Sequence, residues 1–189
     1  MDTQALTGGF TEAPVQAARA FRAALEAMAR PGRIETVTGA EPPAPLSVAA
    51  GTLLLTLADP ETPVYLAPSH DTPALRDWLT FHTGAPLTEP GEAAFAVGDW
   101  AALQPLDSYR IGVPEYPDRS ATLIVEMEDI SAQGVRLTGP GIKDTATLGL
   151  PDIAAFQRNA LLFPLGLDFY FTAGDRLAAL PRTTNVEAG

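Results

Sequence analysis

Leu167-Asp168-Phe169-Tyr170-Phe171-Thr172-Ala173-Gly174-Asp175-Arg176-Leu177-Ala178-Ala179-Leu180 reads as two strands joined by a tight turn. An aromatic and aliphatic run leads into Gly174-Asp175, a pair suited to chain reversal, and a second apolar run leaves it. This predicts a hairpin of 167–172 with 177–180. Upstream, Leu150-Pro151-Asp152 opens a helix running from Pro151 to Leu162. Before it, Ala121–Met127 and Gly134–Thr138 are expected to pair as another hairpin across Ser131-Ala132-Gln133-Gly134.

The N-terminal half alternates helices with short strands. Thr11-Glu12-Ala13-Pro14 starts a helix, because the N–H that proline lacks would be unpaired there anyway. Ala18, Phe21, Leu25 and Met28 recur at three- and four-residue steps as its apolar stripe, with Arg19, Arg22 and Glu26 off it. Pro31-Gly32 stops the helix, and Arg33–Thr38 alternates like a strand. Leu46–Ala58, ended by Asp59-Pro60, reads as a buried helix, although so continuous an apolar run also suits a strand. Pro63–Ala67 is a short strand. Asp71-Thr72-Pro73 caps a helix with the stripe Leu75, Trp78, Leu79 and His82, ending at Gly84. Ala94–Val97 is a buried strand, Asp99–Leu103 a brief helix, and Pro105–Ser120 a loop. The expected architecture is α/β: a three-layer α/β/α single domain over residues 1–189, with a mixed sheet between helices.

Composition narrows the function. The chain has 189 residues, of which 46% are apolar and 19% charged, which suits a globular core and not a disordered chain. A formal charge of −11 excludes general electrostatic affinity for nucleic acid or anionic membrane. With no cysteine, disulfides, thiolate zinc sites, iron–sulfur ligation and thiol nucleophiles are impossible within the chain. Two histidines, His70 and His82, give no basis for a histidine-rich metal site, so no metal is expected. Lys143 is the one lysine and hence the one Schiff-base candidate. Met1–Thr11 lacks a basic region followed by an apolar run, and no apolar stretch approaches a bilayer span. A cytoplasmic location follows as the expectation.

Individual motifs carry limited chemistry. His82 reads either as a general base or phosphate contact, or as an imidazole bonded to a neighbouring carbonyl at a helix end. With no carboxylate at recognisable spacing, the second reading is favoured. Thr138-Gly139-Pro140-Gly141-Ile142 lacks the ending of a P-loop and the spacing of a dinucleotide fingerprint, so a tight turn explains it better. Pro181-Arg182-Thr183-Thr184 offers a guanidinium fork and two hydroxyls to an anion, while by composition alone it reads as a mobile, solvated tail. Asp168 reads as an acid, a cap or a hydrogen-bond anchor, Asp59 most simply as the polar end of a buried element, and Arg22 as a helix-surface residue. From residues alone the chain is a soluble α/β domain with an anion as its ligand candidate.

Together these segments resemble one family, the H subunit of the carbon–phosphorus lyase core complex. The resemblance lies in Phe21–Gly32, Leu54–Asp59 with Thr62-Pro63-Val64, Phe81–Leu87, Ala121–Ile124, Arg136–Ile142, Phe163–Asp168 and Leu180–Glu187, in family order. It is weakest over Gly98–Ser120 and the first dozen residues. It implies a part in bacterial phosphonate use, supporting formation of α-D-ribose 1-methylphosphonate 5-triphosphate from ATP and methylphosphonate. It also implies a fold similar to the large domain of pyridoxal-phosphate transferases without the cofactor site. The partners implied are the other subunits of the complex, with a homodimer in isolation.

On that basis the chain is expected to bind no cofactor and to perform no bond-breaking step alone. Its catalytic residues are unassigned. The candidates for holding an anion, a phosphonate or a nucleotide, are Arg182, Thr183 and Thr184, then His82 and Arg22. The rivals are an assembly module with no ligand site, and a free-standing pyridoxal-dependent enzyme using Lys143.

Overall fold

A computed structural model describes residues 6–188; the first five residues of the Met1–Thr11 segment read for a leader, and Gly189, lie outside them. In chain order the elements are α1 (Ala13–Ala29), β1 (Glu35–Thr36), α2 (Val48–Leu57), β2 (Val64–Leu66), α3 (Pro73–Thr83) and β3 (Phe95–Asp99). There follow β4 (Ile111–Val113), β5 (Tyr116–Ser120), β6 (Thr122–Glu126), β7 (Val135–Thr138) and β8 (Ala146–Leu148). The last are α4 (Ile153–Ala160), β9 (Asp168–Ala173), β10 (Arg176–Leu180) and β11 (Asn185–Glu187).

The main sheet has the order β1-β10-β9-β6-β3-β2. Strands β2, β3, β6 and β9 are parallel neighbours, and β10 runs antiparallel between β9 and β1. The mixed α/β class is therefore as expected, and so is the hairpin of β9 with β10, in which Thr172 faces Leu177. Side chains alternate across the sheet. Val97, Ile124, Tyr170 and Leu177 bury against α1, α2 and α3, whereas Ala96, Leu123, Val125, Phe169 and Phe171 face the other way.

That second face departs from an α/β/α sandwich. It is covered by α4, through Phe156, and by a three-stranded sheet, β11-β7-β8, contributing Val135, Leu137, Leu148 and Val186. The expected hairpin of Ala121–Met127 with Gly134–Thr138 does not form: β6 is a central parallel strand between β3 and β9, and β7 pairs with β8 and β11. An apolar run buried on both faces belongs at the centre of a parallel sheet, and proximity in sequence misassigned it. Asp99–Leu103 is a turn held by the Asp99 carboxylate, which accepts from the Ala102 N–H at 2.8 Å. Within the expected loop 105–120, β4 and β5 form a small hairpin.

The helices are placed largely by their caps. The Thr72 hydroxyl accepts from the Leu75 N–H at 3.2 Å to start α3, Gly84 ends it, and Asp152 caps α4 through the Ala155 N–H at 3.0 Å. Helix α2 is tied in at its first turn. Its N–H groups at Ala49 and Ala50 donate to the Gly174 carbonyl at 2.8 Å and to the Ser47 hydroxyl at 3.1 Å. The preceding Ser47 N–H donates to the Glu126 carboxylate at 2.6 Å.

Helix α1 buries a different face from the one its apolar periodicity suggested. Ala20, Ala24 and Ala27 are buried, and Tyr170 donates its hydroxyl to the Ala24 carbonyl at 3.3 Å. Phe21 and Leu25 are 53% and 57% exposed. Small residues let α1 approach the sheet closely, so Phe21 and Leu25 point outward while Met28 packs partly buried against the core. Ala24→Leu is expected to cost about 1–3 kcal/mol by overpacking, whereas Leu25→Ala should change stability by only about 0.5 kcal/mol or less. Urea denaturation of the two variants checks the assignment.

Candidate functional site

The Pro181-Arg182-Thr183-Thr184 segment is an ordered clamp, contrary to the reading of a solvated tail. Arg182 follows β10 and lies beside Asp168, the first residue of β9. Asp168 Oδ1 accepts from the Arg182 backbone N–H at 2.8 Å and from Nε at 3.1 Å, and Oδ2 accepts from Nη2 at 2.5 Å. Arg182 Nη1 donates to the Pro117 carbonyl at 2.8 Å, and Nη2 also donates to the Ser120 hydroxyl. The side chains are only 11% and 23% exposed. One guanidinium thus ties the start of β9, strand β5 and the C-terminal segment together, using all three of its nitrogens. An incoming anion at Arg182 would compete with the carboxylate of Asp168.

The rest of the tail is fixed by packing. Thr184 is buried, its N–H donates to the Pro181 carbonyl at 2.9 Å, and its hydroxyl oxygen has no hydrogen-bond partner. Thr183 is half-buried, and its carbonyl lies 3.0 Å from where a side chain at Gly139 would begin. Gly141, at φ +82°, presses on the Ala29 carbonyl, leaving no room for a Cβ. The Gly139-Pro140-Gly141 turn therefore packs between the end of α1 and the C-terminal segment.

His82 and Arg22 lie elsewhere. His82 Nε2 is 3.1 Å from the Thr7 carbonyl, which also accepts from Trp78 Nε1 at 3.0 Å, and its ring meets Trp78 and Phe81. It fastens the N-terminal segment to α3 through a carbonyl far away in sequence, not through the neighbouring carbonyl expected. Arg22 is on the exposed side of α1, where it lines a cleft of about 430 Å³ with Arg19, Arg30, Arg33, Glu26 and Glu35. Lys143 is exposed in the turn between β7 and β8.

Three features went unread in the sequence. A cavity of about 560 Å³ lies between α4 and residues 104–111, lined by Gln104, Tyr109, Arg158, Asn159, Leu162 and Leu167 among others. Burial pushes the Tyr109 hydroxyl above its ordinary range. Next to the cavity the Asn159 side chain donates to the Leu167 carbonyl and accepts from its N–H, both at 2.8 Å, and the apolar Leu161, Leu162 and Phe163 are exposed.

At the end of β2, His70 is buried, with Nδ1 2.9 Å from the Ser69 hydroxyl and Nε2 unpartnered. Ser69 Oγ also accepts from the Asp99 N–H at 3.2 Å. Burial lowers the His70 pKa, against a smaller opposing pull from Asp99. The arrangement lacks the carboxylate-to-imidazole hydrogen bond of a nucleophilic triad. No group of three or more His, Asp or Glu among the described residues is placed to share a metal ion.

The third feature is Glu126, at the carboxyl end of β6, which accepts from the Ser47 N–H and, at 3.0 Å, from the Thr172 hydroxyl. Burial raises its pKa above the ordinary 4.5, only partly offset by these hydrogen bonds. A raised folded-state value favours folding of the protonated form. That contribution is complete below pH 4.5 and is lost as pH rises through the folded-state value. Glu126→Gln should therefore melt higher than the parent at pH 8, with the difference shrinking as pH falls towards 4.5. Thermal denaturation across that range reads the effect, and a constant difference would refute it.

At the clamp, Arg182→Ala should cost about 2–3 kcal/mol, less than a fully buried pair because Asp168 keeps some solvent contact. In a double-mutant cycle with Asp168→Asn, a coupling above about 1 kcal/mol is expected. Additive losses would show that the pair does not hold the tail.

Comparison with known proteins agrees with the sequence resemblance. The chain is 41% identical to the "Alpha-D-ribose 1-methylphosphonate 5-triphosphate synthase subunit PhnH" of Rhizobium meliloti (strain 1021), over 98% of this chain and 97% of that protein. It is 29% identical to the "Putative C-P lyase subunit protein HtxG" of Stutzerimonas stutzeri, over 94% of each. Residues 8–187 match the family described as "Bacterial phosphonate metabolism protein (PhnH)", and the chain belongs to that family.

Proposed function

We propose that the chain is the H subunit of an α-D-ribose 1-methylphosphonate 5-triphosphate synthase in a carbon–phosphorus lyase pathway. It supports formation of that product from ATP and methylphosphonate, and performs no bond-breaking step alone. The observation that carries this is the near full-length similarity to a named synthase subunit. The absence of cysteine adds a constraint: thiolate ligation of any cluster must come from other chains. A synthase subunit is favoured over a ligand-free assembly module by the role printed for that relative.

The work of such a subunit is docking and grip. Leu161, Leu162 and Phe163 at the end of α4 are 85%, 45% and 60% exposed, and Phe21 and Leu25 are exposed on α1. Contiguous apolar residues of this kind suit burial against other subunits, or against a second copy in a homodimer when the chain is isolated. Arg182, Thr183, Thr184 and His82 serve this reading as fasteners of the docking scaffold, and Arg22 as a ligand contact. The fold is proposed to be related to the large domain of pyridoxal-phosphate transferases, as one domain over 1–189 without the cofactor site. No described helix is long and apolar enough to cross a membrane, which is compatible with the proposed cytoplasmic location.

In a host that uses this pathway, deleting the gene for the chain should abolish growth on methylphosphonate as sole phosphorus source. The parent should restore growth, while Leu161→Asp/Phe163→Asp should fold, by circular dichroism, without co-purifying with the other synthase subunits. Undiminished growth of the deletion strain would overturn the proposal.

A further inference from the structure

We propose that the cleft between α1 and β1 binds a polyphosphate group. Arg19, Arg22 and Glu26 recur at steps of three and four along α1 and so share one helix face, and Arg30, the C-cap residue, continues the lining. Arg33 and Glu35, beyond the Pro31-Gly32 stop, close the other side, giving an open cleft of about 430 Å³. Four of the eleven arginines of an acidic chain thus converge on one concave surface.

Two of them are already committed. Glu26 Oε2 lies 3.4 Å from Arg30 Nε and 3.5 Å from Arg33 Nη1, and Glu35 Oε1 lies 2.5 Å from Arg33 Nε. Arg19 and Arg22 form no ion pair among the described residues. Four guanidiniums against two carboxylates leave the cleft positive, in a molecule whose formal charge is −11.

The two glutamates hold Arg30 and Arg33 in place, while Arg19 and Arg22 keep their donors for a ligand. Planar forks spaced along a helix suit several phosphoryl groups in a row better than one. An extended polyanion gains from each fork, whereas orthophosphate reaches only one or two. The binding is read from this cleft alone. That the polyphosphate is the 5-triphosphate of the ribose compound rests on the proposed synthase role.

Isothermal titration of the full chain with inorganic tripolyphosphate, orthophosphate and ATP tests the proposal. Tripolyphosphate and ATP should bind comparably, orthophosphate far more weakly, and affinity should fall with added salt. Arg19→Gln/Arg22→Gln should weaken tripolyphosphate binding at least about tenfold. Glu26→Gln should tighten it about threefold, the size of one surface charge pair. A purely structural role for Glu26 would not produce a gain. Arg119→Gln/Arg158→Gln, which removes equal charge elsewhere, should leave the affinity unchanged.

No heat with tripolyphosphate at millimolar concentration, equal weakening by both double variants, or binding of ATP alone would overturn the inference. A silent titration beside growth that still needs the chain defeats this inference and leaves the synthase reading intact. Binding beside growth that does not need the chain does the reverse.

Discussion

Leu123, Ile124 and Val125 have no solvent exposure although they point alternately to opposite faces of the sheet, and this two-sided burial constrains everything around them. A strand apolar on both faces needs a layer on each side. On one side α1, α2 and α3 provide it. On the other α4 is short, so β7, β8 and β11 complete the cover. The Arg182–Asp168 pair anchors the segment that leads into β11, and Gln157 adds a side-chain donor to the Val186 carbonyl at 2.9 Å.

That economy limits the chemistry each polar group has to spare. Arg182, the most attractive anion ligand on paper, spends its donors on Asp168, Ser120 and Pro117. His82 spends Nε2 on Thr7. The first turn of α2 lies at the carboxyl end of the parallel strands, a common place for a bound anion in α/β folds. Here Glu126 and the Gly174 carbonyl already occupy its donors. On the outside, Arg19 and Arg22 on α1 form no ion pair among the described residues, and the apolar residues beside α4 are exposed. A molecule arranged this way is suited to holding and docking.

Much of this organisation was legible in the sequence because it rests on local rules. Thr72, Gly84 and Asp152 bound their helices as capping chemistry requires, and the β9–β10 turn falls at Gly174-Asp175. The errors share one physical origin: long-range pairing. Nothing near Ala121–Met127 says that its neighbours are β3 and β9, because parallel partners come from distant segments. Helix α1 misled for a related reason. Alanine at 20, 24 and 27 carries little hydrophobic signal, yet close approach to the sheet selects it over Phe21 and Leu25. Among the candidate residues, Arg22 was legible as surface and Arg182 was not legible as a clamp, since its partner Asp168 lies 14 positions away on the facing strand.

A chain this acidic repels anions at long range, so an anion site must overcome the global field at close quarters. Scattered arginines would be screened within about 8–10 Å at ordinary ionic strength and would do little. Convergence changes the balance, because several guanidiniums lining one cleft act on the same ligand together. The outward face of α1 has that convergence, and it lies beside the apolar stripe formed by Phe21 and Leu25. Had α1 buried its large apolar residues, as periodicity alone suggested, this pairing of charge and apolar surface on one helix would not exist. The alanine face that lets α1 sit close to the sheet is thus what presents both features to solvent, and the packing of the core sets the chemistry of the surface.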